Sequence, residues 1–351
     1  MIKFLDLKKI SLDLIEPYTI AYQSVSVAEN VFIKLALDKL TGIGVCAPEE
    51  EVTKETPDSA LKILSEQITP YLITISKFDS LNFIIDSLSE RFSNYPAALA
   101  SIDFALHSIF AQSKGIDIPK LYKSTSSDKE KITSITINIL DIENTLKKAH
   151  HWLKLGFKVL KIKGGLNIEE DIRKLFYLKQ KLPSLPPIIF DINQGYSFDE
   201  AKYFLKETKS LELVCIEQPV NKINTDELIL LANMNITPIM ADESACSLKD
   251  VEFLAKSGVQ YFNIKLMKCG GIKTGYELIS TALKCNKKVI ISCMDECALS
   301  NCYSLLLANV FKEINLVDLD SFTDYKNDPT RDCINLAAGN ISVNHVSPKL
   351  F

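Results

Sequence analysis

Three carboxylates and three lysines carry the first chemical signal in the chain. Asp191, Glu217 and Asp242 each close a short apolar run, as in Phe190-Asp191, Cys215-Ile216-Glu217 and Met240-Ala241-Asp242. The steps are 26 residues from 191 to 217, 25 from 217 to 242 and 23 from 242 to Lys265. Each step is the length of one strand, one turn and one helix. One such carboxylate alone reads as a helix cap or the partner of a surface lysine. Three in register read as a cluster that repels itself until a cation neutralises it. A hard divalent cation with oxygen ligands does this, and Mg²⁺ fits.

The lysines complete the pattern. Lys161 and Lys163 lie two apart in Leu160-Lys161-Ile162-Lys163-Gly164-Gly165, so in a strand both point to one side. Lys265 ends a later run, Asn263-Ile264-Lys265. In a closed barrel these runs are the second and sixth strands, so Lys163 and Lys265 would reach in from opposite flanks of the metal. A lysine acts as a base once its pKa is lowered, and Lys161 or the metal is expected to do that. Two bases facing one carbon suit removal of a proton and its return from the other side, which is epimerisation or racemisation. The metal and Lys161 would hold the substrate carboxylate and stabilise the enediolate left by loss of the α-proton. Asp318 and Asp320 end the last run on one face and offer a second negative site. A ligand spanning both sites has a carboxylate at one end and an ammonium at the other. Thr136 on the first strand, Asn193 after the third, and Cys293 and Met294 on the seventh are expected to line the substrate wall.

These residues need a frame that brings strand ends together. From Ile132 the chain reads as eight strands with seven intervening helices: 132–139, 159–163, 187–191, 213–217, a fifth ending at Asp242, 261–265, 288–293 and 314–320. That count predicts a (β/α)7β TIM-like barrel over 125–324, with its chemistry at the C-terminal strand ends. Before it, 1–115 reads as an α+β capping domain of three strands followed by helices, separated by a polar run from Ser124 to Lys131. Between its first two strands, Glu16 to Ser24 reads as a loop with aromatics and no cation. Asp103, inside an apolar helix from Ala97 to Phe110, is expected at a cap or domain interface. Residues 325–351 have little helical signal and are expected to fold back on the first module.

Composition narrows the function. The 351 residues are 47 % hydrophobic and 24 % charged with a formal net charge of −4, as in ordinary soluble proteins. There is no electrostatic case for nucleic acid. No apolar run reaches the roughly 18–20 residues of a membrane span, and the start lacks the apolar core of a secretory signal. Nine scattered cysteines without a C-x-x-C pair fit reduced thiols in a cytoplasmic protein. None of the four histidines ends a barrel strand, which argues against a histidine-based zinc site or a Ser-His-Asp triad.

On Lys161-Ile162-Lys163, the Asp191/Glu217/Asp242 set and Asn263 to Gly271, the chain resembles the enolase superfamily, muconate-lactonising subgroup, over nearly its whole length. The resemblance implies an N-terminal cap whose loop, with Tyr18, Ile20 and Tyr22, closes the site, and a C-terminal tail that joins the cap. It implies one Mg²⁺ per subunit. The dipeptide epimerases of this family hold the dipeptide amino group on a D-x-D pair similar to Asp318-Leu319-Asp320. Members selective for Ala-Glu usually place a cation in the loop near residue 20. Its absence here implies an uncharged or hydrophobic second residue, or broad specificity. The alternatives are an L-Ala-D/L-Glu epimerase, an N-acylamino-acid racemase, an o-succinylbenzoate synthase or a muconate cycloisomerase, and, in a different class, a barrel that senses a ligand without turnover. The expected partner is a small dipeptide, with neither nucleic acid nor membrane, and homo-oligomer formation is left open.

Overall fold

The computed structural model describes residues 2–19, 24–75, 80–124, 129–347 and 350. The chain opens with an antiparallel meander of β1 (Ile2–Thr19), β2 (Ser24–Leu37) and β3 (Leu40–Cys46). The sequence reads a loop from Glu16 to Ser24, but β1 continues to Thr19 and pairs Tyr18 with Val25 and Thr19 with Ser24. A register shift between Asp13 and Tyr18 absorbs Pro17, which has no N–H to give a ladder. The helix Pro96–Lys114 lies directly on β3. Its closeness depends on glycine: a Cβ at Gly42 would stand 2.1 Å from Ala105 O, and one at Gly44 1.7 Å from Ser101 O. The helix Leu81–Phe92 buries Ile84, Ile85, Leu88 and Phe92 along one stripe, at helical spacing.

The second half is a closed parallel barrel. Its strands are β4 (Glu130–Thr133) continued by β5 (Ile135–Ile137), then β6 (Leu160–Lys163), β7 (Ile188–Asp191), β8 (Cys215–Glu217), β9 (Ile239–Ala241), β10 (Tyr261–Lys265), β11 (Lys288–Ser292) and β12 (Leu316–Val317). Pairing runs in chain order from β5 to β11. Closure comes from β12 pairing with β4 and from a bridge between Ser292 and Asp318. The fold is thus the expected (β/α)7β barrel with an N-terminal α+β domain. Several strands are shorter than their apolar runs. The first is split at Ser134, whose N–H and hydroxyl turn to Val317 O and Asp318, and the eighth keeps two residues as regular strand.

A period of two along these strands builds the interior in layers. Val159, Ile189, Cys215, Met240 and Ile290 form an apolar floor. Two residues further on, the same strands present Lys161, Asp191, Glu217, Asp242 and Ser292, all buried. Tyr261 and Leu316 pack against the floor, and Asn263 and Asp318 stand two residues above them.

The N-terminal domain is clamped to this polar layer. Asp103 accepts from the Ile272 and Lys273 amides at 2.7 and 3.4 Å, capping the helix Ile272–Lys284 across the interface, as the sequence suggests. Asn30 on β2 bonds Asp295 O and the Cys297 amide, both at 2.9 Å. Tyr303 stacks on Phe104 at 4.5 Å and donates to Ile43 O. The tail forms a hairpin, β13 (Ile334–Ala337) and β14 (Asn340–Val343), that pairs with β4, while Tyr325 bridges to Leu14 on β1. Among the described residues no helix is long and apolar enough to cross a membrane, and all nine cysteines are free.

Candidate active site

Lys161 and Asp318 of the polar layer, with residues above it, line one cavity at the C-terminal strand ends. Lys161 and Lys163 both face inward from β6, as their spacing requires. Lys161 is 3 % exposed and its Nζ lies 3.1 Å from Asp191, 2.9 Å from Glu217 and 2.9 Å from Asp318. Lys163 Nζ donates to Asp191 at 2.7 Å and to Asn193 Oδ1 at 2.9 Å. Lys265 Nζ donates to Asp242 Oδ2 at 2.8 Å. Lys268, one turn on and fully enclosed, donates to Asp242 Oδ1, to Asp242 O at 2.6 Å and to Asn263 O at 3.0 Å. Strands β7, β8 and β9, which carry Asp191, Glu217 and Asp242 at or just past their ends, separate β6 from β10. Lys163 and Lys265 therefore stand on opposite sides of the three carboxylates.

The carboxylates offer only oxygen donors. Glu217 Oε1 accepts from Asn263 Nδ2 at 2.6 Å, whereas Glu217 Oε2 is buried with no hydrogen bond; the Lys161 ammonium is near it but outside hydrogen-bonding geometry. Burial and the charge of Asp191 push the Glu217 carboxyl up, so its anion is poorly compensated. Burial opposes ionisation at Asp191 and Asp242 too. At Asp191 the ammonium groups of Lys163 and Lys161 outweigh it, and at Asp242 those of Lys265 and Lys268 do, so both lie below the usual range. A buried, acceptor-only set with one orphan oxygen suits a hard divalent cation. The three carboxylates are held apart by ammonium groups; among the described residues the one trio of His, Cys, Asp or Glu with donor atoms within 4.8 Å of one another is Asp332, Cys333 and His345 on the tail.

One electrostatic expectation is corrected. Lys265, as a base, was expected to sit at a lowered pKa, with Lys161 or the metal as the cation lowering it. Burial does lower both, but Asp318 and Glu217 around Lys161, and Asp242 beside Lys265, raise them well above the ordinary lysine value. Neighbouring carboxylates outweigh neighbouring cations here.

Asp318 and Asp320 both line the cavity but differ in what they have to offer. Asp318 Oδ2 accepts from Lys161 and from Ser292 Oγ at 2.7 Å, and Oδ1 from Ser134 Oγ at 2.6 Å. Asp320 Oδ2 accepts from the Thr136 amide at 2.6 Å. Burial and Asp318 push Asp320 up to about 6. Asp318 is thus committed to the barrel interior, and Asp320 is the freer acceptor. Thr136, Asn193, Cys293 and Met294 also reach the cavity. Asn193, at a left-handed φ of 46°, donates its amide to Asp191 and takes Lys163 on its side chain, so it holds those two together. Tyr18 lines the mouth and donates to Asp295 at 2.7 Å; Ile20 and Tyr22 lie outside the described residues.

Sequence reasoning missed several lining residues. Glu243 follows Asp242, is 5 % exposed and has an orphan Oε2; the Asp242-Glu243 pair was its only signal. Asn138 directly follows β5, a strand end the reading passed over, whereas Glu49, Val52, Asp295, Ser321 and Asp324 come from loops and short helices with no strand-end signature.

The family model for the mandelate racemase/muconate lactonizing enzyme N-terminal domain matches residues 8–122, and that for the enolase C-terminal domain-like family matches 144–346. An L-Lys-D/L-Arg epimerase from Desulforapulum autotrophicum is 35 % identical over 330 residues, covering 93 % of this chain and 92 % of that protein. A hydrophobic dipeptide epimerase from Enterococcus faecalis is 28 % identical, covering 96 % and 95 %. The crystal structure of a dipeptide epimerase from Methylococcus capsulatus, complexed with Mg and the dipeptide L-Arg-D-Lys, superposes with a TM-score of 0.90 at 30 % identity and covers 98 % of both chains.

Proposed function

The chain belongs to the mandelate racemase/muconate lactonizing enzyme family of enolase-like proteins, and from that membership we propose that it is an isomerase, a Mg²⁺-dependent dipeptide epimerase that inverts the Cα of the C-terminal residue. The observation that carries this is Lys163 and Lys265 on opposite sides of the Asp191, Glu217 and Asp242 set, with Asp320 facing the same cavity. Solved relatives bound to Mg and a dipeptide support it.

In this reading Asp191, Glu217 and Asp242 hold the metal. Mg²⁺ bound there supplies the electrostatic stabilisation of charge that develops on the substrate carboxylate. Lys161 polarises that carboxylate from the layer below. Ligation of a metal by Asp191 and Asp242 would compete with their bonds to Lys163 and Lys265. One lysine amine takes the α-proton. The ammonium of the other returns a proton to the opposite face, so protons balance over the cycle. Asp320, backed by Asp318, binds the dipeptide ammonium, while Thr136, Asn193, Cys293 and Met294 form the wall and Tyr18 on β1 stands at its mouth. Residues 1–115 with the tail 325–351 act as the cap, and 125–324 carry the chemistry.

The test is solvent deuterium. Incubation with Mg²⁺ and L,L-dipeptides in D₂O adds one mass unit at the second residue and yields the L,D epimer. Faster exchange on N-acylamino acids, which lack the free ammonium, would point instead to a racemase acting on the same enolate.

A further inference from the structure

A second group of metal-ligand side chains lies on the C-terminal tail, outside the barrel cavity. Cys333 ends the short helix Arg331–Cys333, directly before β13, and His345 follows β14 by two residues. The hairpin between them fixes their approach. Ile334 pairs with Val343, and the Asn344 and His345 amides both donate to Cys333 O, at 2.8 and 3.3 Å. Backbone bonds thereby close the two ends of the hairpin on each other. Asp332 adds a carboxylate from the same helical turn. One donor atom from each of Asp332, Cys333 and His345 lies within 4.8 Å of the other two.

We propose that these three side chains form a zinc site, with Zn²⁺ bound by the Cys333 thiolate, one His345 ring nitrogen and the Asp332 carboxylate, and a water in the fourth position. Donor chemistry selects the ion. Thiolate and imidazole on one cation favour Zn²⁺ over Mg²⁺ or Ca²⁺, which take oxygen. The barrel carboxylates offer oxygen alone, so the two sites select different metals. Spacing agrees. Bond lengths of about 2.0–2.3 Å at a tetrahedral angle put neighbouring donors about 3.3–3.7 Å apart. Cys333 Sγ stands 3.8 Å from His345 Nδ1, and Asp332 Oδ2 stands 3.4 Å from His345 Nε2. The ring lies between thiol and carboxylate, and the donors need to close by about 1 Å around one nitrogen.

Little resists that movement. The Asp332 side chain is 71 % exposed and, among the described residues, has no ion pair other than with His345. Arg331, the adjacent cation, is turned elsewhere, with its guanidinium on Ile334 O at 3.2 Å and over the Phe322 ring. Asp332 and His345 also line a surface cavity with Asp328, Arg331 and Ser347, which gives an ion a route to the buried Cys333. Binding releases the Cys333 thiol proton to solvent. His345 ends no barrel strand, so the role is structural and not that of a catalytic zinc in the barrel. The hairpin pairs with β4 beside the closing seam, and Cys302 of the helix Ala298–Ala308 donates to Cys333 O at 3.2 Å. An ion at the hairpin's base would fix the tail onto the barrel.

The experiment titrates Co²⁺, a spectroscopic stand-in for Zn²⁺, into the metal-free full-length protein in excess Mg²⁺, which fills the barrel carboxylates. A thiolate-to-cobalt charge-transfer band in the near ultraviolet is expected, saturating at one equivalent and displaced by Zn²⁺. Oxygen ligands give no such band, so the barrel site is silent. Cys333→Ser should abolish the band. His345→Gln should weaken Co²⁺ binding by at least about 100-fold, beyond the cost of losing an outer-shell partner. Absence of the band overturns the proposal, as does a band of full intensity in Cys333→Ser, which puts the metal on another thiol. If Cys333→Ser does not fold, His345→Gln decides alone, because that side chain is 35 % exposed: unchanged affinity there overturns the site. None of these readouts uses dipeptide turnover, so the zinc site and the epimerase activity stand or fall separately.

Discussion

Replacing Lys265 by alanine separates two-base proton transfer from every other use of this cavity. The side chain makes one strong contact, to Asp242 Oδ2 at 2.8 Å. Asp242 keeps Lys268 on Oδ1 and on its carbonyl, so the carboxylate is not stranded. The folding cost is therefore that of one charge-assisted hydrogen bond, about 1.5–3 kcal/mol, and not the roughly 3–5 kcal/mol of a buried charge left alone. The chemical cost is larger, because removing a positioned general acid–base group lowers turnover by about 10²–10⁴-fold. Lys163 remains on the other flank. It can still take the α-proton of whichever epimer presents it and return a deuteron to the same face. The variant should therefore wash deuterium into one epimer without inverting it, and leave the other epimer unlabelled. Lys163→Ala should show the mirror pattern. Mass spectrometry after chiral separation reads both, and circular dichroism reports whether the fold persists. A folded Lys265→Ala variant that still inverts within tenfold of wild type, or that labels both epimers equally, refutes the assignment of the two lysines.

Two further outcomes concern the scaffold. Glu55 is 1 % exposed, accepts from the Ala97 and Ala98 amides at 2.8 and 3.0 Å, and is pushed up to about 7 by burial despite those bonds. Its folded pKa exceeds the unfolded one, so the folded state binds the extra proton and this group's stability contribution is full below about pH 4.5 and falls as pH rises to 7. Glu55→Gln should gain on wild type between pH 5 and pH 8 by at most about 3 kcal/mol in urea unfolding, and a gap that does not change with pH would contradict the shift. Asp103→Ala uncaps the helix Ile272–Lys284 and removes the carboxylate 3.1 Å from His107 Nδ1, while the bond of that nitrogen to the backbone oxygen of residue 103 stays. Loss of about 1–2 kcal/mol is expected, and a change under 0.5 kcal/mol would show that the interface does not depend on this cap.

The barrel was legible because its strands and helices repeat at a near-constant step and its charges close the apolar runs. The edges of the strands were less legible. Val159 to Lys163 reads correctly, but the first run breaks at Ser134 because its amide and hydroxyl turn to Val317 and Asp318 across the closing seam. That seam joins residues more than half the chain apart, which local periodicity does not report. Tyr18 fared likewise: Pro17 and the surrounding polar residues read as a turn, while the observed ladder absorbs the proline in a register shift.

Within the site, legibility follows the two-residue period. Floor and polar layer alternate along each strand, so Lys161, Asp191, Glu217 and Asp242 declare themselves by standing where an apolar residue would otherwise face a barrel interior. Asp318 shows the limit of that logic. Its D-x-D spacing correctly places it with Asp320, yet its oxygens are taken by Ser134, Ser292 and Lys161, and strand serines look ordinary in a sequence. The mouth obeys no period at all. Asp295 is fixed by Asn30 and Tyr18 from the N-terminal domain, and Asp324 by where the chain leaves the eighth strand. Residues set by the strand repeat are those to which the proton chemistry is assigned. Residues set by the docking of two domains line the cavity mouth, so substrate choice can vary among relatives while the buried lysine and carboxylate layer is kept.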